Sequence, residues 1–195
     1  MFFFFGILAS PPQLSVIGEV LFQTFCCLCT SSLAFSTNTI ATFDQHVSLV
    51  VSINNQVTHI AIVYGSISYI LKRRLGENLN HPGAWAYVRD FNAIIGAFEK
   101  HGGHSSLRAS SDELSSWCNL LGLLHIPSRG VEFTWSNGRH KAKTIDIRLG
   151  HTLCNHLCLD SWSSVSYVAH IHFKSDHFPL MLSLYNSKSP MSSSI

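Results

Sequence analysis

The chain has 195 residues, of which 46% are hydrophobic, and it carries 13 basic and 11 acidic residues for a formal net charge of +2. This length predicts one domain with a sizeable core rather than two. The near-balanced charge gives no electrostatic signature of a nucleic-acid or membrane partner, and it excludes neither. The 6 cysteines are irregularly spaced, which excludes the regular framework of a small secreted disulfide domain and predicts an intracellular location.

The start of the chain differs in composition from the rest. Up to about residue 40 it is rich in Phe, Cys, Ser and Thr and almost free of charge. It has no basic region before its apolar run and soon meets Pro11-Pro12, so a signal peptide is not favoured. The next apolar stretch is interrupted by polar residues, whereas a membrane-spanning helix needs about 20 mostly apolar residues. The predicted units are an atypical leader over 1–41, a domain over 42–185 and a disordered tail over 186–195.

In the first half of the domain, β-branched runs at His46–Ile53 and 57–64 are separated by a short polar turn and predict a hairpin. A helix is predicted over 67–79, with three consecutive basic residues on its polar face. These could contact a DNA backbone, although a solvated helix face is the simpler interpretation. A short buried strand over 85–88 then leads to Asp90.

In the second half, Ser110 or Ser111 is predicted to cap a helix that ends near Leu121. A hairpin is predicted over 131–149 and a short helix over 153–157. Strands over 165–171 and 178–184 complete the domain. Several hairpins with few helices favour a layered α/β sheet sandwich over a doubly wound parallel sheet.

Two short polar motifs each lie beside an apolar strand. One is Asp90-Phe91-Asn92 and the other is Ser175-Asp176-His177. Carboxylate, amide and imidazole groups are suited to handling metal, water and phosphate. Either triplet alone is short enough to occur by chance, and each is then best interpreted as a turn stabilised by side-chain hydrogen bonds. Their order and surroundings favour a catalytic site.

Five motifs in one order resemble the endonuclease/exonuclease/phosphatase superfamily, and within it the endonuclease domain of plant LINE-type (non-LTR) retrotransposons. The motifs, which span about 42–185, are Trp85-Ala86-Tyr87-Val88-Arg89-Asp90-Phe91-Asn92, Glu99-Lys100-His101-Gly102-Gly103, Gly130-Val131-Glu132-Phe133-Thr134-Trp135-Ser136-Asn137-Gly138, Arg148-Leu149-Gly150-His151-Thr152-Leu153-Cys154-Asn155 and Ser175-Asp176-His177-Phe178-Pro179-Leu180. Five motifs in order are far more specific than any one. The resemblance implies an α/β (α+β) fold, a four-layered sandwich, here lacking its first strands.

The resemblance also implies Mg²⁺-dependent hydrolysis of a DNA phosphodiester by an intracellular, nuclear enzyme. Asp90 would orient or deprotonate the attacking water, and Asn92 would position water and phosphate. His177 would contact the scissile phosphate, Asp176 would lie beside the metal, and Tyr64 would lie near the phosphate. These residue types suit the chemistry, because Mg²⁺ prefers oxygen ligands and hydrolysis needs a base and groups that stabilise developing charge.

Three departures from the family pattern predict that activity is weak or lost. The Asn and Glu motifs that supply metal ligands near the start of the family domain are not found. Gly150 stands where the family has the Asp of a Leu-Asp-Arg motif, and that Asp orients the catalytic imidazole. Asp146 is a poor substitute because four strand residues separate the two positions by roughly 13 Å. Arg89 replaces a family Gly. Together they indicate a degenerate, N-terminally truncated copy.

Two alternatives stay open on the sequence alone. His151, Cys154, His156 and Cys158 have the ligand types of a zinc site, although ordinary packing is the simpler interpretation. The second concerns function, since the chain could be a non-catalytic folded remnant or a nucleic-acid-binding module that keeps the sandwich without its metal centre.

Overall fold

The structure of the chain is a computed structural model. It describes residues 3–9, 17–21, 24–30, 35–43, 46–53, 56–64, 82–103, 108–139, 143–170, 178 and 180–185. The strands in these residues are β1 (Phe3–Ala9), β2 (Ile17–Leu21), β3 (Thr24–Thr30), β4 (Phe35–Phe43), β5 (His46–Ile53), β6 (Gln56–Tyr64), β7 (Trp85–Asp90), β8 (Lys100–His101), β9 (Leu124–His125), β10 (Ser128–Gly130), β11 (Trp135–Ser136), β12 (Asp146–Ile147), β13 (Gly150–Cys154), β14 (Ser164–Ala169) and β15 (Leu180–Tyr185). The helices are α1 (Arg108–Leu121) and α2 (His156–Ser161), and a 3₁₀ turn spans Ala97–Glu99.

Two six-stranded sheets form the body of the fold. The first, called sheet I, has the order β4-β5-β6-β7-β13-β9. The second, called sheet II, has the order β10-β14-β15-β1-β3-β2, and β11, β12 and β8 form a small third sheet. Sheet I is antiparallel except where β6 pairs parallel with β7, so these two strands end at the same edge. The mixture of sheets with few helices is the predicted α+β class.

The main core lies between the two sheets. Alternate residues of sheet I, such as Ile60, Ile62 and Val88, pack against Leu180 and Leu182 of sheet II. The intervening residues point to the other face, because side chains alternate along a strand. There Tyr87 and its neighbours pack against α1. Each fully buried aliphatic side chain contributes about 1.5–3 kcal/mol of transfer free energy, so this two-sided burial fixes the register of β6 and β7.

Several predicted elements are confirmed and others need correction. The hairpin of β5 and β6 forms as predicted. The second predicted hairpin is present but shorter, since only β11 and β12 pair. Helix α1 begins at Arg108, so neither Ser110 nor Ser111 is its cap. The short helix predicted over 153–157 begins instead at His156, because β13 continues through Cys154 in pairing with β7 and Asn155 Oδ1 accepts the Cys158 N–H at 3.0 Å. The helix predicted over 67–79 and the tail over 186–195 lie outside the described residues.

Strands from both sides of residue 41 share the two sheets. β1 lies between β15 and β3 in sheet II, and β4 pairs with β5 at the edge of sheet I. The sequence predicts that the first strands of the family fold are missing. Strands β1 to β4 are nevertheless present, but they do not carry the family's Asn and Glu motifs. Three layers are described, namely α1, sheet I and sheet II. No helix in the described part of the chain is long and apolar enough to cross a membrane.

Candidate functional site

Three predicted site positions lie side by side across sheet I. Tyr64, the last residue of β6, is in register with Asp90, the last residue of β7. Asp90 is in turn in register with Gly150, the first residue of β13. These three positions are called the site row. They come together because parallel β6 and β7 end at the same edge, and the antiparallel β13 starts there. For Tyr64 the description is limited to the backbone.

The Asp90 side chain points into the space between the sheets, at the end of the main core. It shares strand parity with Ala86 and Val88, which pack in that core. Only 4% of Asp90 is exposed. A carboxylate at this depth is costly unless polar groups surround it, so the position is better suited to a specific interaction than to a solvated surface.

Asp90 also begins a tight turn that carries Asn92. Asp90 Oδ1 accepts a hydrogen bond from the Asn92 N–H at 2.7 Å, and the Phe91 N–H donates to the Leu149 carbonyl at 3.0 Å. Asn92 has a φ of 46°, in the left-handed region that Asn tolerates better than most residues. The turn expected from the sequence is therefore present. It holds Asn92, which is half-buried, directly beyond the site row.

Thr134 connects the site row to the chain that follows the predicted Asp-His motif. Its Oγ1 accepts hydrogen bonds from the N–H groups of Leu149 and Gly150, at 2.9 and 2.7 Å. Its carbonyl accepts the Phe178 N–H at 2.9 Å. Phe178 is next to His177 in sequence, whereas Asp176 and His177 lie outside the described residues. No role for Thr134 could be predicted from the sequence, because its contacts depend on the register of remote segments.

Two side chains pack closely against Gly150. A Cβ built at this position would lie 2.8 Å from Leu180 Cδ1 and 3.2 Å from Thr134 Oγ1. Even the first carbon of an Asp side chain would therefore require the end of the Leu180 side chain to shift and Thr134 to give slightly.

The described residues do not by themselves fit Mg²⁺. Mg²⁺ sites use one or two carboxylates with waters and substrate oxygens. In the described part of the site row, Asp90 is the sole carboxylate, and Asn92 adds an amide oxygen. The second predicted ligand, Asp176, lies outside the described residues, so the described residues supply too few oxygen ligands for this ion.

The zinc set considered from the sequence is not assembled. His151 and Cys154 point to opposite faces of sheet I, since they are three residues apart on β13, and His156 is exposed at the start of α2. Cys154 is paired instead with Cys158, and this hydrogen bond together with burial raises the pKa of the Cys154 thiol. The ligand-type residues that do converge in the described part of the chain are Glu99, His125 and His151. Glu99 belongs to the second of the five motifs but was assigned no ligand role, and His125 gave no signal in the sequence.

The fold resembles that of a known endonuclease domain. The endonuclease domain of TRAS1, a telomere-specific non-LTR retrotransposon, matches with a TM-score of 0.60 at 16% identity, over 81% of this chain and 72% of that domain. A beta toxin structure from Staphylococcus aureus matches with a TM-score of 0.47 at 11% identity, over 90% and 71% of the two chains. No protein-family model matches the sequence, and no curated protein matches it significantly.

At 16% identity the match to the TRAS1 domain is evidence of fold alone. The chain has the α+β fold of an endonuclease/exonuclease/phosphatase domain, in agreement with the predicted fold class. Residues of three of the five motifs, Asp90, Thr134 and Gly150, meet at the edge of sheet I that carries the site row, and Phe178 of a fourth motif is hydrogen-bonded to Thr134.

Proposed function

We propose that this chain is an endonuclease/exonuclease/phosphatase-like domain derived from the Mg²⁺-dependent DNA endonuclease of a LINE-type retrotransposon, and that its phosphodiesterase activity is weak or lost. One observation carries the proposal. Tyr64, Asp90 and Gly150 align in one row, and the row has a glycine where the family has a carboxylate.

The ancestral part of the proposal is supported by the agreement of two independent observations. The order of five sequence motifs predicted that Asp90 and position 150 belong to one site, although they are far apart in the chain. Their direct register across β7 and β13 is what that prediction requires. The fold match to a retrotransposon endonuclease domain supports the same origin.

The loss of activity is supported by the surroundings of Gly150. A carboxylate that orients a catalytic imidazole fixes both its tautomer and its position. Here the Cβ of such a residue would already lie too close to Leu180 Cδ1 and would crowd Thr134 Oγ1. The chain also lacks the family's Glu motif, and Mg²⁺ sites have few protein ligands to spare.

In the proposed ancestral reaction, Asp90 would act on the attacking water and Asn92 would position water and phosphate. His177 would contact the scissile phosphate, Tyr64 would lie near it, and Asp176 would lie beside Mg²⁺. The substrate is DNA and the location is the nucleus. The alternative function is a non-catalytic remnant or nucleic-acid-binding module, and the close packing of Leu180 and Thr134 against Gly150 is the observation that favours it.

Nicking of supercoiled plasmid tests the proposal. We expect the purified chain to nick plasmid weakly or not at all with Mg²⁺, because two carboxylates of the ancestral site are missing. Any nicking that remains should require Mg²⁺ and should disappear in both Asp90→Ala and His177→Ala. The matched control is Asp112→Ala, which removes an exposed carboxylate from α1 and should leave the nicking rate unchanged.

Efficient nicking that both substitutions abolish would overturn the proposed loss of activity. Nicking that neither substitution affects would point to a contaminating nuclease. A gel-shift measurement with fragments of the same plasmid separates the two non-catalytic alternatives. A nucleic-acid-binding module should bind the DNA in a salt-dependent manner, and a folded remnant should not bind it.

A further inference from the structure

A second group of polar side chains lies on the face of sheet I opposite the Asp90 carboxylate. It consists of Glu99, His125 and His151, which are called the Glu-His cluster. His151 follows Gly150 on β13 and therefore points away from the site row, toward the layer of α1. Both Glu99 and His151 are almost fully buried, and His125 is half-buried on the edge strand β9.

The three side chains of the cluster lie close together. His125 Nε2 lies 3.0 Å from His151 Nδ1, and Glu99 Oε2 lies 3.8 Å from the other nitrogen of the same ring, Nε2. One ligand atom from each residue can be chosen so that all three lie within 4.8 Å of one another. Zinc–nitrogen bonds of about 2.0–2.1 Å in a tetrahedral site place two nitrogens roughly 3.3 Å apart, so the two imidazoles need only a small movement to share an ion.

The outer hydrogen bonds of the cluster hold its ligands in a suitable form. The Ala93 carbonyl, 3.0 Å from His151 Nε2, can only accept, so this nitrogen donates and Nδ1 keeps its lone pair for the cluster. Glu99 Oε2 accepts the Ile95 N–H at 2.7 Å. Metal-binding imidazoles and carboxylates commonly have such partners, which fix the tautomer and the orientation.

The cluster contains one acidic residue and lies near one basic residue. Glu99 Oε2 is 3.8 Å from His151 Nε2. Arg148 is the nearby charge that opposes a cation, but its Nε donates to the Glu132 carbonyl at 2.6 Å rather than to the cluster.

We propose that Glu99, His125 and His151 bind one zinc ion. Two imidazoles and one carboxylate form a donor set that suits zinc, with water in the remaining position, whereas Mg²⁺ prefers oxygen ligands alone. The ligands come from the 3₁₀ turn, β9 and β13, so the ion links three separate elements. Its role is to stabilise the fold beside the site row, and it does not depend on whether the chain cleaves DNA.

The test is a thermal melt of the full chain, first stripped with a chelator and then supplied with one equivalent of Zn²⁺ or Mg²⁺. We expect Zn²⁺ to raise the melting temperature and Mg²⁺ to leave it unchanged, because ligand binding to the folded state alone stabilises it. In Glu99→Gln and His125→Gln the Zn²⁺ shift should be lost, with at least about tenfold weaker binding by equilibrium dialysis.

Two control variants distinguish this site from others. His156→Gln removes an exposed histidine, and Cys158→Ser removes a thiol near Cys154, and both should keep the full Zn²⁺ shift. Cobalt substitution gives a second readout that requires no folded variant. The Co²⁺-loaded chain should show visible d–d bands without the thiolate-to-cobalt charge-transfer band.

The proposal is overturned if the unchanged chain shows no Zn²⁺ shift, since the cluster is then a hydrogen-bonded network. It is also overturned if Glu99→Gln and His125→Gln respond as the unchanged chain does. A Zn²⁺ shift that is lost in Cys158→Ser, or a thiolate band with Co²⁺, would assign the metal to the cysteines instead.

Discussion

Gly150 limits which side chains the site row can hold, because its neighbours pack close to the position that a Cβ would occupy. Its N–H donates to Thr134 Oγ1, and Leu180 Cδ1 occupies the space above its Cα. Asp90 lies in register beside it, so a second carboxylate here would also face a like charge across the strand pair. Restoring the family residue at this one position therefore adds crowding and charge together.

We predict that Gly150→Asp lowers the free energy of unfolding and does not rescue plasmid nicking. Overpacking of a core typically costs about 1–3 kcal/mol, and the buried charge adds to this. Urea denaturation measures the loss. The control Gly150→Ala adds only the Cβ, so the difference between the two variants isolates the effect of the carboxylate.

The double variant Gly150→Asp with Leu180→Ala tests the steric cause. Removing the leucine side chain should recover part of the stability that Gly150→Asp loses, relative to Leu180→Ala alone. Additive losses in this cycle would contradict the crowding argument. Strong recovery of nicking by Gly150→Asp alone would show that the missing Asp, rather than the missing Glu motif, is the main defect.

The sequence predicted that Asp90 and position 150 belong to one site, but it did not predict which side chains surround Gly150. Asp90 and position 150 were assigned to one site from motif order, and β7 and β13 bring them into register. Thr134 and Leu180 could not be assigned a role in advance. Their contacts with Gly150 join segments that are remote in the chain, and motif spacing contains no information on such contacts.

At the scale of elements, helix α1 supports the site row from the opposite face of sheet I. Trp117 makes an edge contact with the Tyr87 ring at a centroid distance of 5.3 Å and lies 5.8 Å from the Phe91 ring. Phe91 lies between Asp90 and Asn92 in the turn. The packing of α1 against sheet I therefore helps to hold the turn. The reactivity of Cys118, which follows Trp117 on the helix, can be used to measure this packing.

We predict that Cys118 resists alkylation while α1 is docked. Burial raises the pKa of the Cys118 thiol to about 11, so its reactive thiolate is depleted by about 100-fold at pH 8 relative to an unshifted thiol. Iodoacetamide labelling followed by peptide mass spectrometry should show at least tenfold slower reaction in the native chain than in urea. The rate should rise as the pH approaches 11.

Because folding raises the pKa of the Cys118 thiol, the free energy of unfolding also depends on pH. A thiol with a raised pKa in the folded state stabilises the fold below the unfolded pKa, and that contribution is lost as the pH rises through about 11.

A substitution on α1 tests the labelling prediction. Trp117→Ala should loosen α1 and speed labelling of Cys118 at pH 8. Equal rates in the native chain, in this variant and in urea would contradict the docking.

Elements with strong local patterns were predicted well, and those that depend on distant pairing were not. The β5–β6 hairpin follows from two β-branched runs around a polar turn. The helix predicted over 153–157 is wrong at its start because β13 pairs with β7 through Cys154, and a partner strand outweighs local helix propensity. The cap at Asn155 then sets where α2 begins.

Strands from both sides of the compositional boundary near residue 41 belong to the same two sheets. β1 is hydrogen-bonded to both β15 and β3 inside sheet II, and β4 covers the edge of β5 in sheet I. The sequence indicated a foreign leader because composition records local character. Sheet membership depends on which distant strand offers an unpaired edge, and that is not visible in composition.

Deletion of residues 1–41 tests whether the first strands are needed for cooperative folding. Without β1 and most of β4, strands β15 and β5 each present an unpaired edge next to the main core. Exposed edges of this kind favour aggregation and weaken cooperative folding. We expect the shortened chain to lose a single cooperative thermal transition, measured by circular dichroism, and to aggregate at concentrations where the full chain is monodisperse.

Deletion of 187–195 is the matched control, because the Ser-rich tail is predicted to be disordered and its removal should leave the transition unchanged. If the chain without 1–41 melts as cooperatively as the full chain and at the same temperature, the leader adds nothing to the sheets. The domain over 42–185 would then be an independent unit, as the composition suggests. Loss of the transition would show instead that the first strands, whatever their origin, now complete the two sheets that hold the site row.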